Sequence, residues 1–131
     1  MEELAGTAWT LSHFETAAGS VPALADSPAT LEFAAGDPPG RLSGTSGCNR
    51  YTAGYAVKGN DLKITQLVST RMLCTPPERM AQEYRFYQAL PAAKSYQRQD
   101  VTLTIAYTGG ILHCIRAAGS ADDGQPAPQE C

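Results

Sequence analysis

The sequence predicts a single α+β domain that is mainly β, with an antiparallel sheet of about eight strands and one packed helix. Three observations support this prediction. Apolar and polar residues alternate in short runs, Gly and Pro turns separate the runs, and one longer segment has helical periodicity. The length of 131 residues suits one domain with its own core. Because short turns join successive runs, we expect a meander rather than a βαβ arrangement.

The first predicted strand covers residues 7–14, with Trp9, Leu11 and His13 expected on one face and Phe14 on the other. A loop over residues 17–28 contains a short extended piece near Val21. The remaining strands are predicted at residues 29–34, 41–45, 51–57, 62–64 continuing into 67–68, 95–98, 101–105 and 111–115. The first two of these are joined across residues 36–40, where two prolines exclude a strand.

One helix is predicted over residues 76–90. Thr75 is expected as the N-cap, Pro76 as the first helical residue, and Glu78 completes the start signal. Pro91 should end the helix. The apolar stripe consists of Met80, Tyr84, Phe86, Tyr87 and Leu90, and Glu83 falls inside it.

The domain is predicted over residues 1–117, and the polar segment 118–131 is expected to be a disordered tail. Cys131 in that tail is expected to be an exposed free thiol. Cys114 is in phase with Leu112 on a strand and should pack as a small apolar side chain.

Charge and hydropathy argue against two classes of partner. The formal net charge is −3, and no cluster of Lys and Arg is long enough for nucleic acid. No apolar run approaches the ~18 residues of a membrane span, so we expect no transmembrane segment. The acidic start Met1–Leu4 is unlike a signal peptide. The chain is therefore expected to be cytoplasmic or a processed form, and its four cysteines favour an oxidising compartment.

Two segments, Gly47–Tyr51 and Ser69–Cys74, are expected to meet and to join the sheet to the helix. A Cys48–Cys74 disulfide would close a loop of roughly 25 residues and contribute about 3 kcal/mol in the chain-entropy model. Two buried thiols in a reducing compartment are the alternative. A structural zinc site has little support, because the chain has no Cys-x-x-Cys pair and its two histidines are far apart in sequence.

No catalytic motif is present, so the sequence assigns no catalytic, cofactor-binding or metal-ligating residue. Asn49 is expected to bind the backbone of its own turn. Glu83 would be costly if left unpaired in an apolar stripe, so Arg50 or Arg71 is expected to form a buried ion pair with it.

Several motifs together resemble the META domain of bacterial HslJ-type heat-shock proteins, over roughly residues 4–116. The resemblance is carried by Leu4-x-Gly6-x-x-Trp9-x-Leu11, Gly44-x-x-Gly47-Cys48-Asn49-Arg50-Tyr51, Leu62-x-Ile64-x-x-Leu67-x-x-Thr70-Arg71-Met72-x-Cys74, Glu83-x-x-Phe86-x-x-x-Leu90 and Leu103-x-Ile105. Gly47, Asn49, Arg50, Thr70 and Met72 match the family signature, and no catalytic residues carry over.

The resemblance implies a strongly curved sheet that forms a cracked, cone-like barrel with one helix packed across it. It also implies a non-enzymatic role in the bacterial envelope, at the periplasm or outer membrane, in heat shock or antibiotic tolerance. The expected partner is a protein segment or a lipid-like, apolar ligand, bound by a monomer. Two alternatives stay open: a thiol-redox protein that uses Cys48 and Cys74, and a scaffold or inhibitor-like module without a small ligand.

Overall fold

The computed structural model of the chain describes residues 4–35 and 40–117, which form nine strands and one helix. The elements are β1 (Thr7–Thr16), β2 (Gly19–Pro22), β3 (Thr30–Ala34), β4 (Gly40–Thr45), β5 (Arg50–Lys58), β6 (Asp61–Ser69), α1 (Pro77–Ala89), β7 (Ala93–Gln99), β8 (Thr102–Tyr107) and β9 (Gly110–Arg116). The turn predicted within residues 36–40 and the tail predicted over 118–131 fall largely or wholly outside the described residues.

Eight of these strands form a closed antiparallel barrel. The order β1-β3-β4-β5-β6-β7-β8-β9 closes because β1 also pairs with β9. β3 pairs with residues 7–10 of β1, and β2 is an extra strand that pairs with residues 13–16. The predicted class, a mainly β domain with one helix, is therefore confirmed. No helix among the described residues has both the length and the apolar character needed to cross a membrane.

A β-bulge in β1 changes which of its side chains face the core. The register with β9 shifts between Leu11 and His13, so Phe14 rather than His13 enters the interior. The alternation predicted for this strand was therefore correct for Trp9 and Leu11 and wrong after the bulge. An inserted residue reverses the in–out phase of everything that follows it, and no pattern in the sequence marks the insertion.

Large side chains fill the interior of the barrel. The predicted inward residues Leu31, Phe33, Tyr51 and Tyr55 are all buried. The largest of the fully buried side chains are Trp9, Tyr51, Phe14, Phe33, Phe86, Leu31, Leu42, Leu62, Leu90, Leu103, Ile105 and Leu112. A small barrel filled in this way is a packed core rather than an internal ligand chamber.

Helix α1 begins one residue later than predicted and turns a different face to the barrel. Pro76 is the N-cap and has no side-chain cap bond, so Thr75 does not cap the helix. The buried face consists of Gln82, Phe86 and Ala89, whereas Tyr84 is exposed. The predicted stripe was thus wrong for Tyr84. It also omitted Gln82, a polar residue whose buried side chain forms three hydrogen bonds.

The thiol of Cys114 lies in the core on β9, as its phase with Leu112 predicted. Burial raises the pKa of this thiol from 9.0 to about 12, because the thiolate would be poorly solvated.

We expect Cys114 to resist alkylation in the folded protein. In a Cys131→Ser variant under non-reducing conditions, a thiol reagent at about pH 8 should label no cysteine without denaturant and one cysteine in denaturant. Mass spectrometry of the labelled protein checks this. Rapid labelling of Cys114 without denaturant would show that β9 opens or that the thiol is accessible.

Candidate functional site

The predicted junction between the sheet and the helix is present in the structure. A Cys48–Cys74 disulfide joins the turn after β4 to the segment that precedes α1, with Cα atoms 5.9 Å apart and a sequence separation of 26. The predicted pairing of these two cysteines is confirmed. Their bond covalently fixes the two signature segments beside each other.

The side-chain amide of Asn49 is the centre of the junction. It is almost completely buried. Its Oδ1 accepts hydrogen bonds from Met72 N (2.7 Å) and Thr70 Oγ1 (2.9 Å), and its Nδ2 donates to Met72 O (3.1 Å). The amide thus bonds both backbone groups of one residue, as a neighbouring strand would. This explains the signature position Met72 through its backbone, while its side chain is exposed.

Glu83 of α1 has different partners from those predicted. Its Oε1 accepts hydrogen bonds from Ser46 Oγ (2.7 Å) and Asn49 Nδ2 (2.9 Å). Arg50 and Arg71 are exposed, and within the described part of the chain neither forms an ion pair with Glu83. The expected ion pair is therefore replaced by neutral donors, which satisfy the carboxylate without taking a cation out of water.

Gly47 lies against Gln82, a hydrogen-bonded glutamine that the sequence did not reveal. Gln82 accepts from Leu24 N (2.7 Å) and donates to Ser27 O (2.7 Å) and Ser46 O (2.8 Å). Gly47 has φ +99°, and a side chain there would collide with Ser27 and Gln82. Glycine is thus required both by the backbone conformation and by the close approach of the helix.

The remaining signature residues extend the sheet. Arg50 and Thr70 are linked by Thr70 N to Arg50 O (3.0 Å) and by Arg50 N to Thr70 Oγ1 (3.2 Å). On the helix side, Tyr87 donates from its hydroxyl to Asn49 O (3.2 Å). Burial raises the pKa of Tyr87, which keeps this hydroxyl protonated as a donor.

A groove of about 580 Å³ lies beside the junction. We call it the β6–α1 groove: one wall is formed by residues 67–73, the other by Met80, Glu83 and Tyr87, and Asn49 lies between them. A second groove of about 350 Å³ shares Val68, Ser69 and Thr70 and reaches Arg50 on β5. The end of β6 is therefore a ridge between two concave surfaces.

The wall formed by β6 carries an almost unpaired strand edge. β6 pairs with β5 from Asp61 to Ser69, but its ladder with β7 has a single position, Asp61 opposite Ser95. Asn60 adds two hydrogen bonds to the Tyr96 backbone next to that position. Beyond Asp61, no other described strand pairs with this edge of β6.

Comparisons with known proteins agree with this structure. The family model of the META domain matches residues 2–119. A protein from Burkholderia xenovorans, solved by NMR, is 28% identical, with 88% of this chain and 84% of that chain covered at a TM-score of 0.74. A second NMR structure, at 20% identity and a TM-score of 0.66 over 88% of this chain and 95% of that one, shows the same fold. No significant match exists among curated proteins.

Truncation of Asn49 should be the most damaging polar substitution in the junction. Asn49→Ala is expected to lower the free energy of unfolding by about 3 kcal/mol, because it removes four part-buried hydrogen bonds to Met72, Thr70 and Glu83. Urea denaturation measures this. Asn60→Ala is the matched control: its amide is exposed and makes one bond, so it should cost less than about 1 kcal/mol. Equal effects would contradict the central role of Asn49.

The partners of Glu83 can be identified by substitution. Glu83→Gln keeps an oxygen for Ser46 and Asn49 and should lower the free energy of unfolding by no more than about 1 kcal/mol, whereas Glu83→Ala should cost about 2 kcal/mol. Arg50→Ala and Arg71→Ala should have little effect. If either arginine substitution destabilises the protein as much as Glu83→Ala, an ion pair operates in solution after all.

Proposed function

The chain belongs to the META domain family, and we propose that it is a non-enzymatic domain that binds an extended segment of another protein in the β6–α1 groove. The observation that carries this proposal is the free edge of β6 beside a groove of about 580 Å³. An unpaired edge offers backbone N–H and C=O groups to an incoming strand, which is a recurrent mode of peptide recognition.

The side chains along this wall support the same partner. Val68 is 63% exposed, Met72 56% and Leu73 90%, so three large apolar residues face solvent within one short segment. Clustered exposed apolar residues are characteristic of interaction surfaces. An extended peptide that pairs with β6 would cover them with alternate side chains. The backbone of β6 would supply affinity and this apolar segment would supply specificity.

A protein segment suits the structure better than a lipid-like ligand inside the barrel. Trp9, Phe14 and Phe33 occupy the interior as fully buried side chains. The β6–α1 groove is open, and polar groups of Asn49 and Glu83 line it together with apolar ones. Long apolar chains favour enclosed, mainly apolar cavities. These features support a peptide as the ligand and the surface as its site.

The same residues support a role without catalysis. Glu83, the carboxylate of the groove, is held by Ser46 and Asn49, and Tyr87 is held by its bond to Asn49. The sulfur atoms of Cys48 and Cys74 form a bond within this hydrogen-bonded junction, which favours a structural rather than a redox role. The groups around the groove therefore maintain its shape.

We also propose that the domain acts as a monomer in the bacterial envelope, in the periplasm or at the outer membrane, in a stress-related role. The disulfide supports this location, because such bonds persist in oxidising compartments. Membership of the META domain family, which the HslJ-type heat-shock proteins share, supports the stress-related role.

Selection of random peptides displayed on phage against the immobilised domain tests the proposal. Selected peptides, added to isotope-labelled protein, should shift NMR signals of β6 and of the α1 face with Met80 and Tyr87. Val68→Asp should weaken their binding about tenfold or more, because the bound peptide would cover the new carboxylate and remove it from water. The matched control Val57→Asp, at an exposed valine on β5, should not.

Either of two results would overturn the proposal. One is a selection that yields no peptide above background. The other is a set of peptides that bind Val68→Asp and the unmodified domain equally well. Circular dichroism of both variants verifies that they are folded.

A further inference from the structure

Closure of the barrel places the two histidines of the chain face to face. His13 on β1 is opposite His113 on β9, and their rings stack with centroids 4.3 Å apart and planes inclined by 10°. Glu15, two residues further along β1, has its Oε1 2.6 Å from His113 Nε2. The three side chains thus form one cluster on the outer surface, although Glu15 and His113 have a sequence separation of 98.

We propose that His13, His113 and Glu15 form a binding site for a divalent transition-metal ion such as Zn²⁺. Imidazole nitrogen and carboxylate oxygen are the ligands that Zn²⁺ accepts beside thiolate, and two histidines with one carboxylate form a known zinc ligand set. The proposal is independent of peptide binding in the β6–α1 groove.

The hydrogen bonds of the cluster indicate which ring nitrogen of His13 would bind the ion. His13 Nδ1 lies 3.0 Å from Ser12 Oγ, which leaves Nε2 of His13 as the ring nitrogen without a partner among the described residues. Metal-binding histidines commonly hydrogen-bond through the nitrogen that does not bind the metal, and that bond sets the tautomer. Ser12 would have this supporting role for His13.

Glu15 and His113 currently share a hydrogen bond at the position that the ion would take. Within the described residues, no group of three or more His, Cys, Asp or Glu side chains is placed so that it could hold a metal ion without rearrangement. The ion would bind Glu15 Oε1 and Nε2 of His113, whose ring proton would then be on Nδ1, and rotation of the His13 side chain would bring in Nε2 of His13. Two nitrogens bound to one tetrahedral ion are about 3.4 Å apart, since each metal–nitrogen bond is about 2.0–2.1 Å. Because the lone pairs of imidazole lie in the ring plane, the two parallel rings must rotate out of their stack so that both nitrogens point at the ion.

The cluster is accessible and its charge suits a cation. The His113 side chain is 30% exposed and that of Glu15 55%, so an ion and its remaining water ligands can approach from solvent. With both imidazoles neutral, Glu15 gives the site one negative charge. The facing positions add no ionisable group: Pro22 on β2 is opposite His13, and Thr104 on β8 is opposite His113.

The test is calorimetric titration of the disulfide-bonded Cys131→Ser domain with Zn²⁺ at about pH 7.5, where unperturbed imidazole is mostly neutral. We expect one ion per chain and an increase in melting temperature, because the ion binds only the folded state and bridges β1 to β9. His13→Ala and His113→Ala should each weaken binding about tenfold or more. Repeating the titration at about pH 5.5 should also weaken it, because protons compete for imidazole.

Glu15→Gln tests the carboxylate, with Glu32→Gln, at an exposed glutamate on β3, as the matched control. Only Glu15→Gln should reduce the affinity. NMR signals of the two imidazole rings should move in the unmodified domain on addition of Zn²⁺. Absence of binding in a folded domain, or equal Zn²⁺ affinity in a His13→Ala/His113→Ala double variant, would overturn the proposal.

Discussion

The joint between barrel and helix depends on one buried carboxamide. Asn49 bonds the backbone of Met72, the hydroxyl of Thr70 and the carboxylate of Glu83, so that one side chain contacts the end of the sheet, the following segment and α1. An amide has two donor hydrogens on its nitrogen and two acceptor sites on its oxygen, whereas a hydroxyl of similar size donates only once. The disulfide brings the segments together, but the amide defines their relative orientation. The wall of the β6–α1 groove has its shape because Asn49 holds it.

The sequence was most informative where structure is local. Alternating runs predicted nearly every strand, and the two signature segments predicted the disulfide partners. The bulge after Leu11 escaped prediction because an extra residue leaves no compositional trace. Gln82 was missed because its burial depends on carbonyl groups of two distant loops. Glu83 was recognised as unusual, but its partners are neutral groups that charge pairing does not anticipate.

Proximity of the two histidines also lay beyond the sequence. Separation along the chain argued against a structural zinc site that includes His13 and His113, and it did not reveal that the β1–β9 pairing stacks their rings. Pairing between strands far apart in sequence, such as β1 and β9, depends on the whole topology, and no short stretch of sequence predicts it. The sparse pairing of β6 is likewise a property of the whole topology: α1 lies between β6 and β7 in sequence, and the two strands pair only at Asp61 and Ser95. The helix that interrupts the meander supplies one wall of the β6–α1 groove.

Closure by the first and last strands has a consequence for biogenesis. β1 is synthesised first, yet its partner β9 ends at Arg116, close to the end of the described chain. The barrel therefore cannot close before β9 has been synthesised and has left the ribosome. Non-local pairing of this kind also slows folding, since loop-closure entropy is lost before contacts form. Until β9 is available, the edge of β1 that pairs with it stays unpaired and exposed.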